Sequence, residues 1–187
     1  MNTSQIRLAL QSEPKTRKLF TGVFACDRLP TKLEKFPCML VANTDPASEE
    51  GEHWVCYYFD ARGNAEYFDS YGLPPANCDL FKFFQSNGKN HKCNSMQLQG
   101  TMSQVCGHWC IAFLLKRSHG QSMDTIVRRF KGSKPGDSDD EVGRLVNDAF
   151  EIHKMPTVVQ DGSGHHQNCC SQIVRQRDCH CHHGCCE

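Results

Sequence analysis

Thirteen cysteines in a chain of 187 residues are the feature that most constrains this protein. Seven are scattered singly between Cys26 and Cys110, and six lie between Cys169 and Cys186. An odd total, in a chain whose first residues contain no apolar secretory segment, argues against a secreted disulfide framework and predicts an intracellular protein. Scattered free cysteines mostly serve as small core residues, so we expect only one or two of them to be chemically active.

Charge and hydropathy exclude several classes of protein. The chain carries 21 Lys and Arg against 21 Asp and Glu, so its net charge dictates no class of partner. Its apolar runs are far shorter than the ~18–20 residues needed to cross a bilayer, so we expect no contact with a membrane. The length is typical of one domain with a sizeable core.

The composition changes after Val159, where a stretch almost without large aliphatic side chains begins. We therefore predict a folded domain over residues 1–157 and a Cys/His-rich tail over residues 158–187, which we expect to be flexible. The tail offers many thiols and imidazoles that zinc would accept, namely Cys169, Cys170, Cys179, Cys181, His182, Cys185 and Cys186. Their spacing lacks the Cys-x-x-Cys of a zinc knuckle, so loose, adventitious binding is the simpler interpretation.

Short strands are predicted in the middle of the chain and helices mostly late in it, which indicates an α+β domain with a central mixed or antiparallel sheet packed by helices. The predicted strands are Gly22–Cys26, Cys38–Ala42, His53–Phe59, Glu66–Phe68 and Met96–Leu98. The predicted helices are Ser4–Leu10, Cys106–Arg117, Ser122–Phe130 and Ser138–His153.

One group of polar residues has the composition of a cysteine-nucleophile site. Cys106 precedes Gly107 in the first turn of an apolar helix, where free backbone amides and the helix dipole favour a thiolate. His53 starts a strand whose hairpin partner ends at Asp69, so one hairpin can deliver a base and the carboxylate that orients it. Gln99 lies seven residues before Cys106, where its amide can approach an oxyanion.

Two observations weaken this interpretation. Taken singly, a cysteine at the start of a helix, a histidine at a strand edge and an aspartate before a turn are usually structural. In addition, a hairpin closed symmetrically over residues 61–64 would pair Asp69 with Cys56 and put His53 on the opposite face. The site therefore requires an odd-length loop or a bulge.

The motifs His53-Trp54, Phe68-Asp69, Gln99-Gly100 and Cys106-Gly107-x-x-Cys110 resemble those of the adenovirus-type cysteine endopeptidases (adenain), which include proteases of related DNA viruses and of Polinton/Maverick elements. The similarity extends over roughly residues 15–118. It implies a papain-like fold with the catalytic order permuted to His, Asp, Gln, Cys. It also implies that His53 is the general base, Asp69 the orienting acid, Gln99 the oxyanion donor and Cys106 the nucleophile.

The resemblance further implies a thiol endopeptidase that cleaves viral or mobile-element structural precursors, such as capsid and core proteins, beside small residues such as glycine during virion maturation. The implied location is the host nucleus and the virion. The chemistry requires no cofactor, but members of that family are stimulated by DNA and by a short peptide that bonds to a cysteine. Cys93 is the nearest counterpart of that cysteine.

Two alternatives stay open at this stage. The adenovirus enzymes usually carry Glu where this chain has Asp69, whereas proteases of ubiquitin-like modifiers carry Asp, so the substrate can be such a modifier. The second alternative is a non-catalytic protein whose Cys/His tail binds zinc or nucleic acid.

Overall fold

The computed structural model describes residues 1–75 and 77–150, with the backbone alone at residue 149. The predicted domain boundary near residue 158 and the zinc-accepting residues of the tail lie outside the described residues. No helix in the described part of the chain is long and apolar enough to cross a membrane.

The centre of the fold is a five-stranded mixed sheet, as the α+β prediction requires. Its strands lie side by side in chain order, β1 to β5. The outer pairs, β1 with β2 and β4 with β5, are parallel, and the two inner pairs are antiparallel. The strands are β1 (Phe20–Ala25), β2 (Cys38–Asn43), β3 (Trp54–Phe59), β4 (Ala65–Phe68) and β5 (His91–Cys93).

Helices cover both faces of the sheet and bury two apolar clusters. The α-helices of the described residues are α1 (Thr3–Ser12), α2 (Pro14–Leu19), α3 (Cys78–Asn87), α4 (Cys106–Ser118), α5 (Met123–Arg128) and α6 (Asp139–Phe150). Side chains of α1, α4, α5 and α6 form one cluster with Cys56 and Phe68 of the sheet. Side chains of α3 form the other with Val55, Tyr57 and Tyr67. Successive residues of a strand point to opposite faces, so β3 and β4 contribute to both clusters.

Helix α4 is the most deeply buried of the described helices and lies against β3. The thiol of Cys110 donates a hydrogen bond of 3.3 Å to the carbonyl of Trp54, and the ring of Phe113 stacks on Phe68 with centroids 4.3 Å apart. At the start of α4, a Cβ on Gly107 would lie 3.3 Å from the side chain of Met1. Glycine at this position therefore allows the N-terminal segment to approach the helix closely.

The predictions of local structure were wrong or incomplete at several places, and the edge strand β5 was not predicted. The strand predicted at Met96–Leu98 is a loop, because the amides of Leu98 and Gln99 both bond to the carbonyl of Ser70 and not to a neighbouring strand. Helix α2 was missed because it is very short, and it begins at Pro14 with Glu13 as its N-cap. Helix α3 was also missed, although Asn77 caps it.

A buried carboxylate fastens the loop before α4 to the helices. Asp139, the first residue of α6, accepts hydrogen bonds from the amide of Gly100 (3.0 Å) and from the indole of Trp109 (2.8 Å). The amide of Gly136 donates to the carbonyl of Leu98 at 2.9 Å. These contacts involve residues on both sides of Cys106. Helix α6 therefore holds the backbone that leads to the candidate nucleophile in place.

We expect Asp139→Ala to lower the free energy of unfolding by about 2–4 kcal/mol, because it leaves a buried indole N–H and a backbone amide without acceptors. The measurement is urea denaturation followed by tryptophan fluorescence. Asp140→Ala, an exposed change in the same helical turn, is the matched control and should alter the stability by less than about 0.5 kcal/mol. Equal effects of the two substitutions would contradict the proposed role of the Asp139 carboxylate in holding the loop before α4.

Candidate active site

The register of the β3–β4 hairpin brings His53 and Asp69 to the same side of the sheet. Phe59 pairs with Ala65 and Cys56 with Phe68, so five residues, an odd number, form the connecting loop. Continuing this register beyond the strands puts Asp69 opposite the residue two positions after His53, and residues two apart share a face. The odd-length loop that the sequence required is therefore present.

The loop has a local cause. The Oδ1 of Asp60 accepts hydrogen bonds from the amides of Arg62 (2.8 Å) and Asn64 (2.9 Å). Gly63 has a φ of 83°, a conformation that favours glycine. The side chain of Asp60 thus closes the turn over five residues and sets the register of the hairpin.

His53 and Asp69 form a buried hydrogen-bonded pair. The Nε2 of His53 lies 2.9 Å from the Oδ1 of Asp69, and the two residues are 8% and 3% exposed. The same carboxylate oxygen accepts a hydrogen bond of 2.8 Å from the amide of Tyr71. The carboxylate therefore has a fixed position from which it orients the imidazole ring.

Asn94 holds the backbone of Asp69 and was not anticipated from the sequence. Its Oδ1 accepts from the amide of Asp69 at 2.9 Å, and its Nδ2 donates to the carbonyl of Asp69 at 2.6 Å. Asn94 is 4% exposed and follows the edge strand β5 directly. No local motif indicates this role, because the contact joins residues 25 positions apart.

Cys106 begins helix α4 and lies beside the imidazole of His53, close enough for each side chain to shift the pKa of the other. The Nε2 of His53 is bonded to Asp69, which leaves Nδ1 as the ring nitrogen available to the sulfur. The backbone amides of Trp54 and Gly107 also favour the ionised form of the Cys106 thiol and lower its pKa. Cys106, His53 and Asp69 thus lie together as one group of interacting side chains.

These contacts favour an ionised thiol beside a protonated imidazole. Burial is the largest single influence on the pKa of Cys106 and raises it, but the bond to His53, its positive charge and the two backbone amides together lower the pKa below its usual value. Burial also lowers the pKa of His53, yet Asp69 and Cys106 outweigh it and raise the pKa to about 10. The two shifts agree in direction, and both favour a thiolate–imidazolium pair.

Gln99 is completely buried beside this pair. Its Oε1 accepts from the hydroxyl of Ser70 (2.7 Å), and its Nε2 donates to the hydroxyl of Tyr71 (3.1 Å) and to the carbonyl of Ser103 (2.7 Å). Among the described residues, its side chain reaches the pair through Tyr71 and makes no hydrogen bond to Cys106. The structure thus brings three of the four predicted site residues into direct contact and places the fourth next to them.

The other cysteines and the histidine near Cys106 have different surroundings. Cys110 is fully buried, and burial raises the pKa of its thiol well above the usual value. His108 lies on another side of α4, where its Nε2 is 3.3 Å from the Oδ1 of Asn147. Cys93 is half-buried on the edge strand β5. Among residues 1–75 and 77–150, no group of three or more His, Cys, Asp or Glu side chains could hold a metal ion.

No protein-family model and no curated protein sequence matches this chain. Among solved structures, the chain is similar to a crystal structure of the selenomethionine form of the ASFV protease, with a TM-score of 0.42 and 22% sequence identity. The match covers 64% of this chain and 46% of that protease, so the chain spans less than half of its length.

We expect iodoacetamide to alkylate Cys106 at about pH 6 much faster than an ordinary cysteine, whose pKa is about 8.5. Only the thiolate reacts, and a lowered pKa preserves the thiolate as the pH falls. His53→Ala removes both the charge and the hydrogen bond, so we expect it to move the rate profile upward by roughly 1–3 pH units. The measurement is the rate of labelling of the Cys106 peptide by mass spectrometry.

His119→Ala is the matched control, since His119 lies at the end of α4 and contacts Glu13 at 3.6 Å. It should leave the profile unchanged. An ordinary profile for Cys106 in the wild-type protein would contradict the ion pair.

Proposed function

We propose that this protein is a cysteine endopeptidase. The observation that carries the proposal is the buried group in which the Cys106 thiol lies beside His53, whose Nε2 is 2.9 Å from the Oδ1 of Asp69. Structural cysteines lack this setting, because a buried thiol without a base has a raised pKa, as Cys38 has at about 11. A thiolate held against an imidazolium is the arrangement that nucleophilic catalysis by cysteine requires.

In the proposed mechanism, the sulfur of Cys106 attacks the carbonyl carbon of the scissile peptide bond. The electron pair of the carbonyl moves to its oxygen. When it returns, the C–N bond breaks, the Nδ1–H of His53 protonates the leaving amine, and a thioester remains. Water then attacks the thioester and gives a proton to His53, and the C–S bond breaks, which releases the carboxylic acid product and regenerates the Cys106 thiolate beside the protonated His53. Asp69 stays bonded to Nε2 throughout, which keeps the ring oriented for both proton transfers.

The oxyanion formed in each half of the reaction needs hydrogen-bond donors. Cys106 is the first residue of α4, so its backbone amide belongs to the turn whose N–H groups lack helical acceptors. This amide and the side-chain amide of Gln99 are the proposed donors. The donor role of Gln99 requires one of its N–H groups to leave its present partner.

The arrangement also supports a papain-like architecture in which the order of the catalytic residues is permuted. A buried helix carries the nucleophile at its N-terminus, and the ends of two antiparallel strands carry the histidine and the aspartate. This is the order His53, Asp69, Gln99, Cys106 that the similarity to adenain-type proteases implies.

For the substrate, we propose viral or mobile-element structural precursors cleaved beside small residues, on the basis of the motif resemblance. Processing of a ubiquitin-like modifier is the alternative within the same chemistry. Activation by DNA, activation by a peptide bonded to Cys93, zinc binding by the tail and location in the host nucleus or virion stay predictions.

We expect Cys106→Ala to abolish hydrolysis of a protein substrate, because Cys106 is the proposed nucleophile. No other described cysteine lies where His53 could accept its proton. Asp69→Asn should lower kcat by roughly 10²- to 10⁴-fold, since the neutral amide no longer stabilises the imidazolium. The measurement is cleavage of a panel of capsid-precursor proteins and ubiquitin-like modifiers, followed by mass spectrometry of the products.

Cys26→Ala is the matched control, since Cys26 is a buried free thiol in the other apolar cluster. It should retain activity. Cleavage confined to modifiers would favour the alternative substrate, whereas cleavage that survives Cys106→Ala would contradict the protease proposal altogether.

A further inference from the structure

Tyr71 contacts three of the four proposed catalytic residues, namely Asp69, His53 and Gln99. Its backbone amide donates to the Oδ1 of Asp69 at 2.8 Å, and its ring lies 4.9 Å from the ring of His53, centroid to centroid. Its hydroxyl accepts the hydrogen bond of 3.1 Å from the Nε2 of Gln99. Tyr71 is itself 8% exposed, so these contacts are made in a buried setting.

The hydrogen bonds of Gln99 determine which end of its amide carries the donors. The carbonyl of Ser103 can only accept a hydrogen bond, so the atom 2.7 Å from it must be the nitrogen. The hydroxyl of Ser70 bonds to the opposite end, at Oε1. An amide nitrogen has two N–H groups, and in the resting site one points to Tyr71 and the other to Ser103.

The two partners of these N–H groups differ in how firmly they are held. Tyr71 is buried and is fixed by its backbone bond to Asp69 and by its ring contact with His53. Ser103 lies in the loop before Cys106, where the neighbouring Met102 is 78% exposed. A loop with exposed neighbours yields more easily than a buried side chain held at several points.

We propose that Tyr71 is a positioning residue that anchors the Gln99 amide to the His53–Asp69 pair. When an oxyanion forms, the N–H that points to the Ser103 carbonyl turns to it, while the bond to the Tyr71 hydroxyl is kept. Tyr71 thereby keeps the Gln99 amide in a fixed position relative to His53. This inference rests on the proposed thiol-protease chemistry.

The test compares two reactions of Cys106 that differ in their need for an oxyanion donor. Acylation by p-nitrophenyl acetate passes through a tetrahedral oxyanion, whereas alkylation by iodoacetamide is a direct displacement at carbon. Tyr71→Phe removes the hydroxyl but keeps the ring and the backbone amide. We expect it to slow acylation about tenfold, the usual effect of one hydrogen bond, and to leave the alkylation rate and its pH profile unchanged.

A double-mutant cycle with Gln99→Ala identifies the partner of the hydroxyl. If Tyr71 acts through Gln99, adding Tyr71→Phe to Gln99→Ala should cause no further loss of acylation. Tyr58→Phe is the matched control, because Tyr58 lies on β3 with its ring 4.1 Å from the guanidinium of Arg117, and it should leave both rates unchanged.

Wild-type acylation in Tyr71→Phe would overturn the inference, and so would losses that multiply in the double variant. An equal decrease in the rates of acylation and alkylation would also overturn it, because that result would indicate general damage to the site. Each of these outcomes is compatible with a thiolate at Cys106 in the wild-type protein, so the proposed function would stand without the inference. If wild-type Cys106 alkylates like an ordinary thiol, the proposed function itself fails and this inference fails with it.

Discussion

The burial of the Cys106–His53 pair, whose pKa shifts favour the charged forms, is the constraint on which the rest of the structure depends. Removing two charges from water is costly unless each is paired and its remaining hydrogen-bonding capacity is satisfied. The imidazole is hydrogen-bonded to Asp69 through Nε2 and lies beside the thiol. Besides the imidazole, two backbone amides favour the ionised form of the sulfur. Burial alone would favour the neutral thiol and the neutral imidazole. The interactions with these partners outweigh that effect and favour the charged forms.

Each of these partners comes from a different part of the fold, so the pair exists only when several elements are in place. The hairpin of β3 and β4 aligns His53 with Asp69, and Asn94 after β5 fixes the backbone of Asp69. The packing of α4 on β3 brings the first turn of the helix to the amide of Trp54. The carboxylate of Asp139 holds the loop before Cys106 against α4. Reactivity and tertiary packing are thus coupled through the same contacts.

Much of this arrangement could be predicted from the sequence where the determinants are local. The apolar run after Cys106 indicated α4, and the turn residues around Gly63 indicated the β3–β4 hairpin. The joint order of His53, Asp69, Gln99 and Cys106 indicated a nucleophile site, whereas each residue alone did not. The need for an odd-length hairpin loop was also visible, because the alternation of side chains along a strand is a strict constraint.

The features that escaped prediction depend on contacts between distant residues. Asn94 and Asp139 contact the site from 25 and 30 or more positions away, and neither belongs to a motif. Met96–Leu98 has strand-like composition, but its amides are taken by Ser70, so tertiary context overrides the local preference. No sequence pattern indicated a role for Tyr71, because only the folded structure places its hydroxyl at Gln99.

The central claim is that Cys106 is a thiolate at neutral pH because His53 is protonated beside it. The most direct measurement is the far-ultraviolet absorbance of the thiolate as a function of pH, taken as the difference between the wild-type protein and Cys106→Ala. The account predicts a thiolate signal that persists well below pH ~8.5, the pKa of a free cysteine, and that His53→Ala displaces toward higher pH. A signal that appears only near pH ~8.5 or above in the wild-type protein would contradict it.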